Sequence, residues 1–267
     1  MLDSQFFIEL SGRLDPLWFT VLRGLAMSLV FPLFAGRFMT GMVRNCIVFS
    51  LALVVYPSVA ADFPRGPLPL AFTLFLVAKE ILIGATIGFL MGIVFWAIEG
   101  MGHLIDFQVG NSMSSMFNPM AGEQSGASSQ FLVQLAAALF FASGGMLALT
   151  AVYYESFRIW PVAASAPRLD AAFEFVFLDK LDGVMRLAVK FAAPVIIVLL
   201  AVELALGLIG RFAQQLNVFF LSQPIKGAVA ALVLVLCLAF IYESATDWLL
   251  PTLSLLEPLQ SEVPDVR

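Results

Sequence analysis

The sequence predicts an all-α membrane protein, and three observations predict it. Of the 267 residues, 61% are hydrophobic and only 12% charged, against about 25% charged in soluble domains. Six apolar regions, near 17–34, 45–61, 68–98, 131–154, 187–210 and 227–242, approach the length of a helical span. None shows the period-two alternation of short segments that a membrane β-barrel requires. With a mean hydropathy of +0.96, the chain has too few polar residues to cover its apolar surface in water.

A helical span needs about 20 mostly apolar residues, because each adds about 1.5 Å to a crossing of about 30 Å. The first region is interrupted by Arg23, and the second has few uncharged residues between its flanking charges. The third carries the Lys79–Glu80 pair, and the fifth carries Lys190 and Glu203. Only the fourth meets the standard cleanly, running without charge over 124–154; the sixth is again short. A central charge facing lipid costs about 2.5–3.5 kcal/mol on insertion scales, so such residues face protein or a wet cavity. Arg23, Lys79, Glu80, Lys190, Glu203 and Arg211 are therefore expected to be buried charges, in helices that pack mainly against other helices. Glu203 and Arg211 lie two turns apart, close enough for an ion pair through an intermediary.

Pro32, Pro57, Pro194, Pro224 and Pro251 lie in or beside the apolar runs and are expected to bend or break them, since proline removes a backbone donor. The amino terminus is acidic rather than basic, so insertion is expected to use the first span, uncleaved. Basic residues in the connections are split between the two sides, which leaves orientation open. A net charge of −5 with no basic cluster argues against nucleic acid as a partner. Cys46 and Cys237 both sit in apolar runs as small hydrophobes. No nucleotide, metal or nucleophile motif appears, so no enzyme, cofactor or metal site is expected.

Three features remain. Gly84, Gly88 and Gly92 are spaced i, i+4, i+8 and would let a neighbouring backbone approach, either in this chain or in another subunit. Glu99, His103 and Asp106 would share a face if the helix continued that far, although Gly100 and Gly102 weaken it. A metal or proton-relay site is the sharp reading of that trio, and a polar helix end the bland one. The segment 110–130 is rich in Gly, Asn, Ser and Gln, and holds Met113, Met116, Phe117, Pro119 and Met120 between Gly110 and Gly122. Methionine is unbranched and re-packs readily. The segment could therefore seal a pore reversibly, or simply connect two helices.

Residues 84–119 resemble the FliR/SctT family of type III secretion export-gate subunits. A G-x-x-x-G-F helix leads through Glu99 and Gly102 to a D-x-Q-x-G turn at Asp106, Gln108 and Gly110, then to a Met- and Ser-bearing loop ending at Pro119. A second block runs from Arg211 through Gln215, Leu216 and Phe219 or Phe220 to Pro224. Arg44–Asn45 through Tyr56–Pro57, the Lys79–Glu80 pair and Trp160–Pro161 look more like the injectisome branch than the flagellar one. The resemblance implies broken helical hairpins in a conical, multi-subunit pore raised partly toward the periplasm from the bacterial inner membrane. It implies two sister small membrane subunits and the switch subunit as partners, with unfolded secreted proteins in transit. It also implies that 106–122 is a flexible plug within a single helical domain spanning 1–256, followed by an acidic tail at 257–267. The alternatives are the flagellar counterpart, or a secondary transporter or small-solute channel using Glu203, Lys190 or Glu80.

Overall fold

The computed structural model describes residues 2–34, 38–64, 68–110, 126–164, 171–212 and 218–254. Within them the chain is helical throughout: α1 (Leu2–Val30), a 3-10 turn (Pro32–Phe34), α2 (Gly41–Asp62), α3 (Leu70–Val109), α4 (Ala127–Ala142), α5 (Gly145–Ile159), α6 (Ala171–Phe212) and α7 (Val218–Ser254). Among the described residues, four helical stretches are long and apolar enough to cross a membrane, or five spans if α4 and α5 count together. The four are Gly41–Asp62, Leu70–Val109, Asp182–Phe212 and Leu221–Ile241.

Three helices exceed what a bilayer requires. α3, α6 and α7 have 40, 42 and 37 residues. At about 1.5 Å per residue, each is nearly twice as long as a hydrocarbon core of about 30 Å. Segments expected as connections are absorbed into them: α6 starts at Ala171, and α7 at Val218.

The breaks differ from those expected. The fourth apolar region is not one clean span but two helices, α4 and α5, bent at Ser143–Gly144. Gly144 sits at φ +79°, a left-handed conformation available to glycine without penalty. Prolines interrupt less: α2 runs through Pro57 and α6 through Pro194. A lost donor costs one helical hydrogen bond, whereas a reversal in φ ends the ladder.

The chain forms two compact units. The first comprises 1–92, 141–176 and 250–267, and the second 93–140 and 177–249. The core of the first joins α1, α2, the amino-terminal half of α3 and α5, with Met27, Phe31, Phe34, Leu76 and Tyr153 fully buried. In the second, α3 and α4 pack with Phe95 edge-on to Phe140 at 5.5 Å, and Ile105, Leu132, Phe191 and Leu199 are buried.

Candidate functional site: the anchors of the 111–125 connection

In the second unit, the carboxyl end of α3 is tied at successive turns. α3 stops because Gly110 adopts φ +97°, and its N–H returns to the carbonyls of Asp106 and Phe107 at 3.2 and 3.1 Å. That is the glycine helix stop in which orphan carbonyls are satisfied locally. The remaining carbonyls of the last turn need donors from elsewhere. Gln223 on α7 donates its Nε2 to the Gly110 carbonyl at 3.0 Å, and Lys226 Nζ lies 3.5 Å from the Gln108 carbonyl. Gln108 donates its own Nε2 to Glu203 on α6 at 2.9 Å, and Glu203 pairs with Lys226 at 3.2 Å.

Asp106 faces the other way, to the start of α4. Its carboxylate accepts the N–H of Ser128 at 3.2 Å and of Ser129 at 3.0 Å. A carboxylate there satisfies amide donors and meets the positive end of the helix dipole. The approach requires glycine twice: a Cβ on Gly126 would overlap the Asp106 carboxyl, and one on Gly102 would overlap the Ser129 backbone. The chain thus leaves α3 at Gly110 and rejoins α4 beside Asp106, one helical turn away. Met113, Met116, Phe117, Pro119, Met120 and Gly122 lie outside the described residues. The helix itself extends to Val109, so residues 106–109 of the expected loop are helix.

The trio Glu99, His103 and Asp106 is separated by this arrangement. α3 continues past Gly100 and Gly102, leaving His103 exposed and Asp106 buried at 5% exposure against α4. Among the described residues, no cluster of His, Cys, Asp or Glu is arranged to hold a metal.

The first unit holds a second polar network. Arg23 on α1 donates to Glu80 on α3 at 2.5 Å, to Ser156 Oγ at 3.0 Å and to the Trp160 carbonyl at 2.9 Å, and its guanidinium stacks on Phe157 at 4.0 Å. Lys79 pairs with Glu80 at 3.2 Å and donates to the carbonyls of Pro161, Val162 and Ala164. Two cations thus close the carboxyl end of α5, where unsatisfied carbonyls gather negative charge. Arg23, Lys79 and Glu80 are all buried.

Three of the six charges expected to be buried are exposed. Arg211 sits in the last turn of α6, where a cation complements the helix end in solvent. Lys190 is exposed, its ammonium 6.0 Å from the Phe240 ring. Glu203 has a side chain 53% exposed and pairs with Lys226 across helices, rather than with Arg211 along its own. Lys226, 7% exposed, is the buried cation that sequence reasoning missed. Its signal was legible, for Gln223 and Lys226 are polar residues three apart, flanking Pro224 at the mouth of an apolar run.

Gly84 and Gly88 have an intramolecular neighbour. A Cβ on Gly84 would meet the Arg23 carbonyl, and one on Gly88 the Met27 carbonyl, so two successive turns of α3 lie on two turns of α1. Gly92 is buried two turns beyond Gly84.

Long apolar helices with polar groups reserved for helix–helix joints define a multi-pass membrane protein. The chain belongs to the family described as bacterial export proteins, family 1, which it matches over residues 14–250. It is 36% identical to the Yop proteins translocation protein T of Yersinia pestis over 91% of this chain and 92% of that one. It is 32% identical to the secretion system apparatus protein SsaT of Salmonella typhimurium over 80% and 83%, and 31% identical to the flagellar biosynthetic protein FliR of Bacillus subtilis over 81% and 83%.

Proposed function

We propose that this chain is the T subunit of an injectisome export gate, where it helps form the inner-membrane pore for unfolded secreted proteins and carries the segment that closes it. Membership of a type III export apparatus rests on the family and on relatives named for secretion. The injectisome branch is favoured over the flagellar one by 36% identity across 91% of the chain, against 31% across 81%. Two sister small membrane subunits and the switch subunit are its partners in this reading. Helices nearly twice as long as a bilayer core support a subunit lifted partly toward the periplasm.

The observation that carries the gating assignment is the triad Asp106, Gln108 and Gly110. Each residue fastens one side of the 111–125 connection, so that it leaves and returns at a single turn of α3. A segment held at both ends can fill a pore at rest without drifting into the bilayer, and Gly110 and Gly122 would let it move. The test is deletion of 113–120 within the assembled complex. Assembly should persist while the inner membrane becomes permeable to a small probe. Intact assembly with unchanged permeability removes the plug assignment, and altered uptake of a single solute would favour a transporter.

A further inference from the structure

The gate reading leaves open what holds the plug-bearing turn in place. We propose that Glu203 and Lys226 are positioning residues for the gate: a polar bolt from α6 and α7 that fastens the end of α3 at rest and must let go during export. This rests on the gate reading for its meaning, but its geometry stands apart from the plug. Four side chains from three helices converge within one turn. Gln223 grips the Gly110 carbonyl, Lys226 faces the Gln108 carbonyl, Gln108 donates to Glu203, and Glu203 pairs with Lys226.

The distribution of exposure argues for a releasable joint rather than a buried strut. The Lys226 side chain is 9% exposed, while that of Glu203 is 53% exposed. Water can replace the carboxylate's partners as the helices part, so opening does not leave a desolvated anion. The Arg23–Glu80 pair is the contrast, at 0% exposure on both sides, where separation would strand two charges in an apolar core. The acceptors in the bolt are the last carbonyls of α3, which need donors whenever the helix ends there. Movement of α7 would withdraw the Gln223 and Lys226 donors together, since the two lie three residues apart on one helical face.

The experiment uses the full complex with Cys46 and Cys237 replaced by alanine. Gln108→Cys and Glu203→Cys are then joined by a short bis-methanethiosulfonate reagent that dithiothreitol removes. Without the cross-link, the bolt is broken and small-probe permeability should rise several-fold. With it, permeability should return to that of the unmodified complex and export should fall at least tenfold, recovering on reduction. Export at the full rate through the cross-linked complex overturns the proposal. A companion pair, Lys226→Met and Lys226→Arg, separates positioning from folding. The methionine variant should leak at normal complex yield, while arginine restores the seal; equal, normal permeability in both also overturns it. If the 113–120 deletion does not leak but cross-linking still blocks export, the plug reading fails and the bolt stands as a point of helix movement. If the deletion leaks and the cross-linked complex exports freely, the reverse holds.

Discussion

Asp106 and Ser129 are joined by a hydrogen bond from the Ser129 N–H to the Asp106 carboxylate at 3.0 Å, in a joint where Gly102 lets the two backbones come together. The carboxylate thereby caps α4 from a neighbouring helix, a task that a residue on the preceding strand of chain ordinarily performs. Capping in this way ties the start of α4 to the same turn of α3 that ends at Gly110.

Replacing Asp106 by alanine should therefore cost about 0.5–2 kcal/mol, the range for a lost helix cap. Asparagine should recover part of this, since its amide oxygen can still accept one N–H. The apparent melting midpoint of the purified protein in detergent should fall in the order aspartate, asparagine, alanine. Equal midpoints would show that water caps α4 unaided.

Bulk at Gly84 or Gly88 should act within the chain. Because the obstructed atoms are the backbone carbonyls of Arg23 and Met27, no side-chain rotation relieves the overlap. Gly84→Leu and Gly88→Leu should lower the steady-state level of the chain even without partners. Gly207→Leu, where a Cβ meets nothing within 4 Å, should leave it unchanged. Comparing the three levels in membranes tests this, and normal amounts of Gly88→Leu would contradict the packing of α3 on α1.

The Arg23–Glu80 pair should show strong coupling. Both side chains are fully buried, so removing either alone strands a charge, at about 3–5 kcal/mol. Glu80→Gln and Arg23→Met should each destabilise the chain severely, and the double variant by clearly less than their sum. A double-mutant cycle on detergent melting measures the difference, with additivity as the contrary result.

Changing Met113, Met116 and Met120 together to serine should leak less than deletion of the segment. Backbone would still fill the space while the soft apolar contacts are lost. Probe permeability in the two strains, compared at equal complex yield, decides it. A leak as large as that of the deletion would mean that side chains alone make the seal.

What the sequence by itself determined is the class of molecule: composition and run length demand a helical membrane protein, and two short motifs mark its family. The same motifs identified Asp106, Gln108 and Gly110 as worth attention, without saying what any of them touches. Partners were decided only by tertiary structure. Six charges in apolar runs look alike in one dimension, yet Arg23, Lys79 and Glu80 close on the end of α5 while Lys190, Glu203 and Arg211 are exposed. Whether a charge is buried depends on which helix lies across from it, and the nearest groups here come from 57 to 137 residues away along the chain. The break at Gly144 was hidden for a related reason. An uninterrupted apolar run is equally compatible with one helix or two, and only the backbone conformation of a single glycine separates them.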